Sequence, residues 1–296
     1  MTDLTQYKRI VTSQEGEDGI IEIIFQKLNI QKGFCVEFGA WDGKLSSNTW
    51  NLWHNEEWSA VLIEGDAEKA TQLSQTINDF PKVRAIHTFV NIRGEDSLDN
   101  ILQRENVPTD FELLSIDIDG DDYYIWKSLQ NYSPKLVIIE HNPTFPPHVE
   151  FIDQPGSRDF GCSALALVNL GKEKGYELIC CTVTNSFFLR KELLKALGIQ
   201  KTSLEELFQY DRINYVVSSY KGCAFVTKNE LCWVYIDSLK GIYRQFFSSL
   251  DYNQHQLNRL LFISHDFFDG LLPGLRFFQK VYQNIKKIVT FRSQRK

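Results

Sequence analysis

The sequence predicts an α/β protein: a doubly wound, mostly parallel sheet with an antiparallel hairpin at its edge, then a mainly helical C-terminal extension. Three observations carry this expectation. Strand-like and helix-like stretches alternate from residue 15 to about residue 190. The strand-like runs are apolar almost throughout, as strands covered on both faces must be. Each is separated from the next by one helix, the connection that right-handed crossovers between parallel strands require.

Taken in order, "EGEDGIIEIIFQKLN" places apolar residues at helical spacing and leads into a first strand, "GFCVEFG". "SSNTWNLWHN" reads as a short helix capped by a serine. "SAVLIEG" is a second strand, and "DAEKATQLSQTINDF" a helix with Asp66 at its N-cap. "VRAIHTFV" is a third strand, followed by the helix "EDSLDNILQRE". "FELLSIDID" and "DYYIWKSLQ" make a fourth strand and its helix, and "PKLVIIEHN" a fifth strand. "GCSALALVNLGKEKGY" is a long helix, and "YELICCTVTNSFFLR" supplies the hairpin, adding one antiparallel strand at the edge. The chain thus divides into a domain over 1–197 and an extension over 198–296. The extension ends in "LRFFQKVYQNIKKIVTFRSQRK", which has seven basic residues and no acid. Its apolar positions repeat at helical spacing, so it reads as a basic amphipathic helix. Such a helix either packs on its own domain or makes peripheral contact with a membrane surface.

Composition narrows the function classes. A chain of 296 residues with 43% hydrophobic residues buries a sizeable core. A net charge of −6 speaks against nucleic acid as a partner. The opening "MTDLTQYKRIVTSQEGEDG" lacks the apolar centre of a secretory signal, and no apolar run reaches the ~18 residues of a spanning helix. The six cysteines show no CxxC pair, so reduced buried thiols and a cytoplasmic location are expected.

Ligands of a doubly wound sheet sit beyond the carboxyl ends of its strands. Those ends read Glu37-Phe38-Gly39, Glu64-Gly65-Asp66, Asn91, Asp117-Ile118-Asp119 and Glu140-His141-Asn142. Carboxylates at four of five ends are costly to bury unless they face a ligand. Gly39 supplies the tight turn, and Asp42-Gly43 keeps the backbone open to close approach. Glu64 lies 25 residues beyond Gly39, near the offset of an acid that binds ribose hydroxyls. A pyrophosphate would be repelled by Glu37 and Asp42, and GxGxxG is missing, which disfavours a nicotinamide-dependent oxidoreductase. A nucleoside without phosphates and with positive charge fits, as in S-adenosylmethionine.

"VEFGAWDG" with "LIEGD" is similar to the nucleotide half of class I S-adenosylmethionine-dependent methyltransferases, which share a Rossmann-like fold. Gly43-Lys44-Leu45-Ser46-Ser47-Asn48-Thr49, "LLSIDIDGDDYYIW" and "LVNLGKEKGYELI" resemble more specifically the FkbM-type branch, over about residues 15–190. The resemblance implies that Glu37 and Gly39 face the methionine part and Glu64 the ribose, with Asp66 or Asn91 near the adenine. Asp42, Asn48 and Asp117 complete the implied cofactor set. Asp117, Asp119, Glu140, His141 and Asn142 combine hard oxygens with one imidazole, as a Mg2+ or Mn2+ site would. At Asp117, Glu140 and His141 or Asn142 they resemble the layout with which some sugar and catechol O-methyltransferases hold such an ion, although Glu-His-Asn departs from their acidic or amide pair. His141, Asp119 or Asp121 would remove the proton of the acceptor. Each of these residues also has a structural reading: Asp117 and Glu140 as helix caps, His141 as a turn residue and Asp119-Gly120 as a turn. Residues 143–163, rich in Pro and aromatics, read as a substrate lid, and Trp41 and Trp53 as packing residues.

The expected activity is O-methylation of a sugar or glycan hydroxyl. The alternatives are another small-metabolite or lipid-linked acceptor, and a non-catalytic interaction protein that keeps the fold.

Overall fold

The computed structural model describes residues 3–199 and 201–213, together with the course of the short strands Val216–Ser218 and Ala224–Val226. Seven strands, β1 (Phe34–Phe38), β2 (Ser59–Glu64), β3 (Val83–His87), β4 (Leu113–Ile116), β5 (Leu136–Glu140), β6 (Tyr176–Cys181) and β7 (Asn185–Arg190), form one sheet in the order β3-β2-β1-β4-β5-β7-β6. The first five pair in parallel, and β7 is antiparallel to both β5 and β6. The hairpin stands at the edge as expected, but its antiparallel strand is the inner one. A tight turn after β6 returns the chain between β5 and β6, so β6 forms the edge.

Helices cover both faces. α1 (Glu17–Lys27), α2 (Trp50–Asn55) and α3 (Ala67–Thr76) bury Ile20, Ile24, Trp53 and Leu73 against Cys35, Leu62, Leu113 and Ile138 of the sheet. α4 (Leu98–Arg104), α5 (Asp122–Ser128) and α6 (Ala164–Glu173) bury Ile101, Trp126 and Leu167 against Val36, Ile63, Leu114 and Ile139. Each fully buried Leu or Ile contributes about 1.5–3 kcal/mol of transfer free energy, which is why strands apolar on both sides demand two helical layers. Helices switch faces between β3 and β4, and the crevice this leaves lies at the carboxyl ends of β1 and β4, neighbours in the sheet.

The cores also fix which way the polar residues point. Cys35, Leu62, Leu113 and Ile138 face α1–α3, so strand alternation puts Glu37, Glu64, Ser115 and Glu140 on that face. The next residue after β5, His141, falls on the opposite face. Cys35, Cys162, Cys180 and Cys181 are buried free thiols. No helix among the described residues is long and apolar enough to cross a membrane. The basic amphipathic helix expected at the C-terminus lies outside the described residues.

Candidate functional site

The turn after β1 is organised by its acids. Glu37 is 5% exposed and accepts hydrogen bonds from Ser47 Oγ (2.6 Å), Thr49 Oγ1 (2.7 Å) and the Asn48 N–H (2.8 Å). Burial pushes its carboxyl up, and these three donors oppose the rise. Asn48 also donates to Ser115 Oγ (3.1 Å), tying the loop to β4, while its own Oδ1 is buried without a partner. Gly39 has φ +77°, and a Cβ there would lie 1.6 Å from the Asp117 carbonyl oxygen. The two strand ends flanking the crevice therefore meet backbone to backbone. Asp42 accepts from the Lys44 and Leu45 N–H groups, a turn-closing role. The N-cap of α2 is Thr49 rather than a serine and makes no side-chain cap bond; Ser47 Oγ, two residues earlier, accepts the N–H groups of Thr49 and Trp50.

Glu64 ends β2 only 7% exposed, receiving N–H groups from Trp41 and Asp66 at 2.8 Å each. Each oxygen keeps a second acceptor position. Asp66 caps α3 through the Glu68 and Lys69 amides, and the Lys69 bond leads the lowering of its pKa. Trp41 is not a packing residue: it is 44% exposed, held at φ +50°, with Lys69 Nζ 3.4 Å over its ring. Phe89 is 60% exposed and lies on Gly65, where a Cβ would come within 2.3 Å of its ring. Trp53 is buried as expected. Asn91 is exposed, its backbone paired with the segment before α4. An acceptor-only carboxylate thus stands beside two exposed aromatic rings.

At β4 and β5, carboxylate oxygens of Asp117, Asp119 and Glu140 lie within 4.8 Å of one another. Solvent reaches Asp117 and Asp119, and Glu140 is half-buried. Partial desolvation foremost, then neighbouring acids, raises both the Asp117 and Glu140 carboxyls. The folded pair therefore binds protons more tightly than the unfolded chain. Its stabilising contribution is complete below a pH of about 4 and is lost as the pH rises through neutrality. Glu140→Gln is accordingly expected to be more stable than wild type near pH 8 and to show a flatter stability profile from about pH 5 upward. Urea denaturation along that range is the check, and a mutant less stable at pH 8 would contradict the raised pKa of the pair.

The expected ligand set changes. His141 is 1% exposed, its Nδ1 3.0 Å from Ser186 Oγ and its ring against Phe208. Burial pushes its pKa down to about 3. It lies in the core on the face away from the acids, as strand alternation requires, and has no access to a substrate. Asn142 is spent on its own loop, accepting from Thr144 and donating to the Phe160 carbonyl. Asp119 takes their place beside Asp117 and Glu140, while Asp121 accepts the Gly156 N–H. Through that bond, and one from Tyr124 Oη to the Asp153 carbonyl, the 143–163 loop is pinned to the β4–α5 turn. Phe145 and Phe151 stack within the loop at 4.6 Å.

Two groups of residues were not singled out from sequence. Asp122, 3% exposed, accepts the N–H groups of Ile118 and Gly120 at 2.9 Å each. The segment before α1 crosses the strand ends: Asp18 Oδ2 gathers the N–H groups of Val11, Thr12 and Ser13, and Ser13 bridges to Ser46. Glu17, fully buried, accepts from Thr182 Oγ1 and Asn185 Nδ2. The acid-rich "SQEGEDG" was the available signal, but helix periodicity absorbed it.

No protein-family model matches the chain, and no curated protein matches it. Among solved structures it is similar to the N-terminal domain of EvdMO1, crystallised in the presence of SAH and D-fucose, at 10% identity, covering 58% of this chain and 80% of that one, with a TM-score of 0.40. It is also similar to the CurJ carbon methyltransferase (10% identity, 58% and 52% covered, TM-score 0.41). A third likeness is to the precorrin-6y C5,15-methyltransferase of Geobacter metallireducens (12% identity, 62% and 92% covered, TM-score 0.36).

Proposed function

We propose that this protein is a cytoplasmic S-adenosylmethionine-dependent O-methyltransferase of the FkbM-type branch, acting on a sugar or glycan hydroxyl with help from a divalent cation. The observation that carries the reading is the row of carboxylates at the ends of β2, β1, β4 and β5. Glu37, Glu64 and Glu140 share the sheet face toward α1–α3, and Asp117 and Asp119 converge with Glu140.

The residues fit the cofactor chemically. Glu64 has acceptor positions to spare for ribose hydroxyls, Phe89 and Trp41 expose flat apolar surface for a base, and Asp117 offers a carboxylate to an ammonium group. Bound S-adenosylmethionine supplies an electrophilic methyl group. Asp117, Asp119 and Glu140 are the hard oxygen donors that suit Mg2+ or Mn2+, and a cation there offsets the crowding of negative charge that adds to the effect of burial on Asp117 and Glu140. Asp119, reached by solvent like Asp117, receives the proton of the acceptor hydroxyl in this reading. The loop over residues 143–163, fastened to Asp121, forms the acceptor side of the site.

Calorimetric titration with S-adenosylhomocysteine, with and without Mg2+, tests the reading. Wild type is expected to bind. Glu64→Ala, which removes the charged acceptor for two hydroxyls, is expected to bind about 100-fold more weakly, since a hydrogen bond to a charged group contributes about 1.5–3 kcal/mol. Absence of binding by the wild type under both conditions overturns the proposal.

A further inference from the structure

We propose that Asp122 is the positioning residue of this site: its carboxylate clamps the backbone on both sides of Asp119 and thereby delivers Asp119 to Asp117 and Glu140. The inference rests on the reading of those three acids as a cation site.

Asp119 has φ +54°, a left-handed conformation that a residue with a Cβ adopts only when its surroundings impose it. Here the imposing group is visible. Asp122 Oδ1 accepts the N–H of Ile118, the residue before Asp119, and Oδ2 accepts the N–H of Gly120, the residue after it, both at 2.9 Å. A single rigid carboxylate thus holds the Asp117–Ile118 and Asp119–Gly120 peptide units, one on each side of Asp119. Because Asp122 is only 3% exposed and opens α5, its own position is set by the helix and the core beneath it. Gly120 completes the fit, since a Cβ there would come within 2.8 Å of the Ser157 carbonyl in the overlying loop. With both amides held, the backbone sets Asp119 on the side of Asp117 and Glu140, where its carboxylate lies within 4.8 Å of theirs. Asn at position 122 keeps one acceptor oxygen and loses the second, so one of the two peptide units is released.

The test compares wild type, Asp122→Asn and Asp122→Ser. Mn2+ binding is followed by the electron paramagnetic resonance of the free ion, and amide hydrogen exchange is read at Ile118 and Gly120. Both variants are expected to bind Mn2+ at least tenfold more weakly and to exchange one or both amides faster, while keeping a folded circular dichroism spectrum and S-adenosylhomocysteine affinity within twofold. That pattern separates positioning from a general loss of structure. Wild-type Mn2+ affinity in both variants, or unchanged exchange at both amides, overturns the assignment. Accelerated exchange in a protein whose wild type binds no Mn2+ sinks the cation reading and leaves the clamp standing.

Discussion

Gly39→Ala is expected to leave the protein unfolded or nearly so at 25 °C. A Cβ at position 39 would stand 1.6 Å from the carbonyl oxygen of Asp117, only about half of the closest approach a Cβ tolerates. The obstacle is backbone, in a loop leaving the strand next to β1, so no side-chain rotation relieves it. The residue would also carry its Cβ at φ +77°. Separating β1 from β4 at their carboxyl ends disturbs the centre of the sheet, and a loss above about 4 kcal/mol is a large share of a typical domain stability of about 5–15 kcal/mol. Urea denaturation by circular dichroism reads it directly. A variant with a wild-type midpoint would mean that the two strand ends are not in backbone contact.

Glu37→Ala is the second large effect, expected to cost about 3–5 kcal/mol. It strands the Ser47 and Thr49 hydroxyls and the Asn48 N–H in a space that water does not reach, each orphaned donor costing about 1–3 kcal/mol. Glu37→Gln keeps an accepting oxygen and should recover a good part of the loss. The comparison separates hydrogen bonding from charge. Because burial raises the Glu37 carboxyl, its charge is not what stabilises the fold. If the Gln variant were as unstable as the Ala variant, the ionised form would be the stabilising one. Such a role means that Glu37 shapes the cofactor turn through residues 47–49.

These two residues mark where sequence and structure part company. The glycine after β1 and the acids at the strand ends were legible because a strand that turns sharply into a helix leaves a short, local signature. Their partners were not. Nothing in the spacing of Gly39 and Asp117 announces that one requires the other to be free of a Cβ contact. Similarly, Asp66 was readable as a helix cap because capping is local, whereas Asp122, four residues from Ile118 and two from Gly120, reads as one more acid in "DIDGDD" until the loop closes.

By itself the sequence determined the succession of elements, the apolar strands that need helices on both faces, and the carboxylates waiting at their ends. All follow from periodicity, capping and the cost of exposing apolar surface, which act over a few residues. Only the tertiary structure decided that β7 returns inside β6, that His141 turns into the core while Glu140 turns out, and that Asp119 rather than His141 or Asn142 joins Asp117. The segment before α1 likewise found its place across the strand ends through Thr12 and Glu17, bonded to Ser47 and Thr182 far along the chain. These outcomes depend on strand register and loop closure, where residues distant in sequence meet. A one-residue difference in alternation reverses a side chain's face, and that is the physical reason the ligand set could be narrowed from the sequence but not chosen.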